Sequence, residues 1–136
     1  MIDIANAHER MVSFINARDW DALRAVTHPE YAYTGPNGVQ EAGGPELMVG
    51  LPMLMVDGFA AKMEIKKVHI IGDTSIAEIH ATGRHVGEFA DRPPTGETVE
   101  AFIVDIVEVY EGLIYREREY FDRLGIMATI GAVRPG

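Results

Sequence analysis

The chain has 136 residues, no cysteine and a formal net charge of −9. That length fits one ordinary domain, so residues 1–136 are expected to fold as a single unit. The lack of cysteine excludes disulfides, thiolate zinc sites and cysteine nucleophiles, and the acidic balance opposes nucleic acid and anionic membrane surfaces as partners.

The opening residues Met1 to Asn6 show no basic region followed by an apolar core, and no apolar run is long enough to span a bilayer, so a cytoplasmic protein is expected. Ile4, His8, Met11 and Ile15 recur at helical spacing and predict an amphipathic helix over 3–17. Asp19 is placed to cap a second, shorter helix through Val26, with His28-Pro29 as its stop. Tyr31 to Thr34 suits a short strand, and the glycines from Gly35 to Gly44 predict a loop. Residues 45–56 read as a third helix that Pro52 would shorten or kink.

From Phe59 onward the period changes to two. Ala61, Met63 and Ile65 alternate with Lys62, Glu64 and Lys66, Gly72-Asp73 marks a hairpin turn, and Ser75 to Val86 continues as a second strand. A rigid loop from Ala90 to Glu97 precedes two further strands, 98–110 and 113–121, joined at Glu111-Gly112. Helices first and a meander of long strands afterwards predict an α+β fold in which a curved antiparallel sheet and about three helices enclose one small-molecule pocket.

The run Ala101 to Val107 is apolar except for Asp105 at its centre. An aspartate there must be hydrogen-bonded, paired with a cation, or protonated. The plain alternative to a functional role is a structural ion pair with Arg116 or Arg118. Hairpin register decides. A two-residue turn at Glu111-Gly112 sets Asp105 against Arg118, with Glu119 on the other face. A three-residue loop with Gly112 in a left-handed bulge moves the register by one, and Asp105 then shares a wall with Glu117, Glu119, Ile103, Val107, Tyr115 and Phe121. Such a wall suits general acid–base chemistry, because burial and like charge raise carboxyl pKa values.

The other polar signals are weaker. His85 shares strand parity with Ala77, Ile79 and Ala81 and points to the apolar face, as a packed histidine or a ligand-binding one. His28 reads as a helix-end residue, His8 lies on its helix's apolar face, and His69 and His80 read as surface or packing residues. No pair has metal-site spacing, so no metal is expected. Trp20, Tyr31, Tyr33 and the group Met48, Met53, Met55 are candidates to line a pocket or simply to fill the core. No glycine-rich phosphate loop joins a strand to a helix, and no nucleotide cofactor is indicated.

Four segments in order carry a family likeness: Gly83-Arg84-His85-Val86-Gly87, Pro93-Pro94-Thr95-Gly96, Gly112-Leu113-Ile114 and Phe121-Asp122-Arg123-Leu124-Gly125, with His28-Pro29-Glu30-Tyr31 earlier. The pattern resembles the SnoaL-like polyketide cyclases over nearly the whole chain. The resemblance implies the cone-shaped fold of nuclear transport factor two, and ring closure of a polyketide ester by aldol addition without metal or cofactor. Aligned through Gly112 and Arg118, the family's acid–base aspartate falls on Glu119 and its assisting histidine on Asp105; Asp122 matches a further family acid. The resemblance favours the shared-wall register.

The expected catalytic residues are therefore Glu119, Asp105 and Asp122, with His85, Tyr33, Trp20, Tyr115, Ile103, Phe121 and Met53 expected around the substrate. Glu119 first, or Asp105, would remove a proton between two carbonyls and return it to the new alkoxide, while His85 and Tyr33 donate to the oxyanion. Two other classes compete: another acid–base enzyme (hydratase, isomerase or epoxide hydrolase) and a non-catalytic binding or dimer module. Phe102, Val104, Ile106 and Tyr110 would form an apolar outer sheet face, expected to be covered in a homodimer.

Overall fold

The computed structural model describes residues 1–133. A short 3₁₀ turn at Ile4–Asn6 leads into α1 (Ala7–Ala17) and α2 (Trp20–Ala25). The Asp3 side chain caps the first turn and the Asp19 carboxylate accepts from the Ala22 N–H at 3.1 Å, so both starts are fixed by the oxygens the sequence supplies. α1 buries Ala7, His8, Met11, Val12 and Ile15 on one face.

Strand β1 (Thr27–Thr34) follows, then β2 (Gln40–Ala42) and α3 (Gly44–Phe59). α2 ends at its C-cap Val26, as expected, and His28-Pro29 lies inside β1, which begins earlier than the strand expected from Tyr31. The strand's register shifts between Thr27 and Ala32, where proline cannot donate to a ladder. The predicted loop from Gly35 to Gly44 contains the short edge strand β2, and α3 runs through Pro52 to Phe59, a little beyond the expected 45–56, so the proline does not shorten it.

Strands β3 (Lys62–Ile71), β4 (Thr74–Arg84), β5 (Thr98–Tyr110) and β6 (Leu113–Tyr120) come next, with a short α4 (Arg123–Thr129) that sequence periodicity did not reveal. The sheet order is β2-β1-β6-β5-β4-β3. All neighbours are antiparallel except β1 and β6, whose parallel pairing departs from the wholly antiparallel sheet expected. α1 and α3 cover the inner face of this sheet, and the core gathers there around Met11, Ile15, Leu23, Tyr31, Met48, Val107 and Ile114. No described helix is long and apolar enough to cross a membrane.

The β5–β6 hairpin resolves the register by a route the sequence reading did not consider. Tyr110 pairs with Leu113, so the turn has two residues, and both Glu111 (φ 55°) and Gly112 (φ 74°) take the positive φ that this turn type requires. The shift comes later: Val109 pairs with Ile114 but Glu108 pairs with Arg116, leaving Tyr115 as the extra residue of a bulge. Asp105 then faces Glu119, and Val107 faces Glu117. The shared wall forms although the turn is not the three-residue loop expected.

Candidate functional site

Strand periodicity carries one stripe from each of four strands into the concave face. Ser75, Ala77 and Ile79 from β4 adjoin Val107, Asp105 and Ile103 from β5, which adjoin Glu117 and Glu119 from β6. Tyr31 and Tyr33 from β1 lie beside them, Tyr33 paired directly with Glu117. Of these, Tyr33, Ile79, Asp105, Glu117 and Glu119 line the floor of a cavity of about 360 Å³ walled by Met11, Met48, Leu51, Met55, Ile103 and Phe121, among others. The volume lies in the range of small-molecule sites.

Asp105 is fully buried and Glu117 nearly so. His8 Nε2 lies 2.8 Å from Asp105 Oδ2, and His8 Nδ1 lies 2.8 Å from Ser75 Oγ. Tyr31 Oη donates to Glu117 Oε1, and Tyr33 Oη donates to Glu119 Oε1 at 2.8 Å. Asp105 Oδ1 is buried with no donor of the ordinary kind. Neither arginine proposed as a structural partner reaches it: Arg118 pairs with Glu108 at 2.9 Å, and Arg116 donates to the Glu30 carbonyl.

Electrostatics follow from that geometry. Burial pushes Asp105 up to about 7, the Glu119 charge adding to the rise. Glu119 is also raised to about 7, by burial and then by the Glu117 charge, with the Tyr33 hydrogen bond pulling the other way. Glu117 stands well above an ordinary glutamate because it is buried beside Asp105. His8 is lowered to about 4 by burial, so at neutral pH it is an uncharged donor–acceptor. Carboxyls held near neutrality can both take and give protons. The three carboxylates each offer an oxygen within 4.8 Å of the others, close enough to hold a cation as well as protons.

The structure brings Asp105, Glu119, Tyr33, Ile103 and Phe121 together on the cavity wall. It does not bring Asp122 there: that carboxylate accepts from the Gly125 N–H at 2.8 Å and caps α4. Trp20 on α2 and Met53 on α3 are half-buried against the core and do not line the cavity. Tyr115, displaced by its bulge, lies 4.9 Å from the His28 ring, with the Arg116 guanidinium 3.8 Å from its own. His85 is buried off the cavity, its Nδ1 accepting from the Thr95 N–H and its ring 5.3 Å from Phe59. The glycines around it are equally structural, since a Cβ on Gly87 would sit 2.1 Å from the Asp57 carbonyl oxygen.

Sequence reasoning did not assign His8 or Ser75 to the site, offered Tyr31 only as a residue to line a pocket or fill the core, and did not rank Glu117 as a site residue. A usable signal existed: His8 interrupts an apolar helical stripe as Asp105 interrupts an apolar strand, and two buried polar groups need partners.

The model of the SnoaL-like polyketide cyclases matches residues 5–130. The chain belongs to that family. Among its relatives, the aklanonic acid methyl ester cyclase AcmA of Streptomyces galilaeus is 28% identical over 131 residues, covering 95% of this chain and 91% of the relative. The aklanonic acid methyl ester cyclase DnrD of Streptomyces peucetius is 25% identical over 129 residues, covering 93% and 89%. A SnoaL-like structure from Jannaschia sp. CCS1 superposes with a TM-score of 0.85 at 22% identity, covering 96% of this chain and 92% of that one. In this SnoaL-like chain the cavity floor carries three carboxyls and Tyr33, with buried His8 and Tyr31 hydrogen-bonded to Asp105 and Glu117.

Proposed function

We propose that this protein is a cofactor-independent cyclase that closes a ring in a polyketide ester by intramolecular aldol addition. The observation that carries the reading is the pair Asp105 and Glu119, facing one another on the floor of an apolar cavity with both carboxyls raised to about 7. Glu119 borders the open part of the cavity and is the base. It takes a proton from a methylene between two carbonyls, whose enolate spreads its charge over the substrate's own oxygens. The carbon then attacks a second carbonyl held against Ile103, Phe121 and the α3 methionines, while the Tyr33 hydroxyl holds the Glu119 carboxylate.

The two curated relatives, both cyclases of a polyketide methyl ester, support this choice of substrate class. An epoxide hydrolase reading would need an Asp–Arg–Asp set, and neither Arg116 nor Arg118 lies on the cavity wall. A homodimer is part of the same proposal: Phe102, Val104 and Tyr110 remain exposed on the outer sheet face, and light scattering would measure the assembly.

The test is a linear polyketide methyl ester with an acidic methylene, followed for ring closure in the presence of a chelator. The parent should turn over, and Glu119→Gln should lose about a hundred- to ten-thousandfold in turnover while still binding. A Glu119→Gln variant that cyclises like the parent would end the assignment of this base. Activity lost to the chelator and restored by a divalent cation would instead make the carboxyl cluster a metal site.

A further inference from the structure

Asp105 Oδ1 presents an accounting problem. It is fully buried, and no N–H or hydroxyl reaches it, while Oδ2 is already served by His8. A buried carboxylate oxygen left without a donor is costly. The neighbouring group able to serve it is the Glu117 carboxyl, which offers an oxygen within 4.8 Å of the Asp105 carboxylate in the same cluster. Two carboxylates cannot donate to one another, so one of them carries a proton.

The surrounding donors say which. Asp105 receives His8 Nε2–H on Oδ2, and the tautomer closes on Ser75, whose hydroxyl donates to Nδ1. That arrangement favours an ionised Asp105, leaving Glu117 as the acid with its own Oε1 accepting from Tyr31. Glu119 belongs to a separate arm, served by Tyr33.

We infer that the Asp105–Glu117 pair stores a proton and that Glu117 is a second catalytic residue, the acid that protonates the new alkoxide, with His8 as the positioning residue that holds Asp105 in place. The inference rests on the aldol reading above and divides its proton transfers between two carboxyls. Glu119 takes the methylene proton. The carbanion carbon forms the new C–C bond, and the π pair of the attacked carbonyl moves onto its oxygen. The Glu117 O–H then gives its proton to that oxygen, and the carboxylate left behind is held beside Asp105. Glu119 now carries a proton and Glu117 lacks one. Their oxygens lie within 4.8 Å, so transfer inside the cluster restores both groups without a proton from bulk water. Substrate and product are isomers, and the balance closes.

Two readouts separate the arms. Deuterium wash-in at the methylene of a β-keto methyl ester lacking the second carbonyl reports proton removal alone; ring closure of the full substrate reports both steps. Glu117→Gln keeps an amide donor for Asp105 but has no proton to transfer. It should retain wash-in at the parent rate and lose about a hundredfold or more in ring closure. Glu119→Gln should lose both.

If Glu117→Gln cyclises like the parent, its carboxyl is structural and the inference fails. If it loses wash-in and ring closure alike, Glu117 is not confined to the acid step and the division fails. If Glu119→Gln retains both, the assignment of Glu119 as base has failed, whatever Glu117 does. Should Glu117→Gln not fold, carbon-detected NMR of the parent decides: a Glu117 side-chain carbon in the protonated range at neutral pH is expected, and an ionised one overturns the inference.

Discussion

His8 on α1 and Asp105 on β5 stand 97 residues apart in sequence and meet at 2.8 Å in the floor of the cavity, both shut off from solvent. The contact ties the first helix to the middle of the sheet through a polar bond inside an apolar core. Low local dielectric strengthens such a bond and makes its loss expensive. His8→Ala would strip partners from Asp105 Oδ2 and Ser75 Oγ and leave a void under α1. The expected cost is about 1–3 kcal/mol for each buried group left unsatisfied, read as a lower urea midpoint. An unchanged midpoint would show that the bond contributes nothing to stability.

Stability should also depend on pH in an unusual direction. In the unfolded chain these carboxyls release their protons near pH 4, whereas in the fold Asp105 and Glu119 hold theirs to about 7 and Glu117 beyond an ordinary glutamate. Between those limits the native state binds more protons, so raising the pH through the window destabilises it. His8 opposes this only from about 4 to its ordinary 6.5, where the unfolded chain holds the extra proton and rising pH favours the fold. Above that the carboxyls act alone. The denaturation midpoint should fall between pH 6 and 8, and Glu117→Gln should flatten the slope. A midpoint that rises over that interval would contradict the buried, proton-holding cluster.

The fold and part of this site are legible in the sequence. Asp105 is the one charged residue among Ala101 to Val107, and strand parity sets it on a wall with Glu117 and Glu119 once the register is known. Register was the illegible step, because Glu111-Gly112 suits either turn and nothing about Tyr115 announces a bulge. Partners distant in sequence were equally hidden: the parallel β1–β6 pair brings Tyr31 and Tyr33 onto the carboxyls, and helical periodicity alone shows His8 only as a polar interruption. Asp122 shows the opposite error. It matches a family acid in the sequence, yet it precedes a seven-residue helix too short to reveal itself by periodicity and serves as that helix's cap.

Tyr33 offers a way to tell proton acquisition from oxyanion stabilisation. Its hydroxyl donates to Glu119 at 2.8 Å and favours the ionised carboxylate. Hydrogen bonds to charged groups contribute about 1.5–3 kcal/mol, equivalent to roughly one to two pKa units. Tyr33→Phe should therefore move the acidic limb of the rate–pH profile upward from about 7, because the base must be ionised and less of it is at a given pH. If the bond to Glu119 is the whole role, the rate on the alkaline plateau should recover. A plateau that also falls, with the limb unmoved, would place the hydroxyl on the substrate oxyanion instead.

The cavity should discriminate strongly by ligand charge. Its wall is built mainly of apolar side chains, its floor holds three carboxyls, and the exposed Glu41 also lines it. Among the described residues the one cationic side chain on the wall is Arg123, which is itself exposed to solvent. A free carboxylate bound near the floor at pH 8 would face anionic Asp105 and Glu119. At about 5 Å and an effective dielectric near 20, each unit of like charge costs about 3 kcal/mol. Esterification removes that repulsion and adds a methyl group suited to the wall. A polyketide methyl ester should therefore bind at least about a hundredfold more tightly than its free acid at pH 8, the repulsion from even one of the two anions being enough for that, measured by calorimetry with matched pairs. The gap should narrow at pH 6, where the cluster carries less charge. Equal affinity at pH 8 would mean that the acid group sits at the mouth beside Arg123, and that the ligand lies in the cavity the other way round.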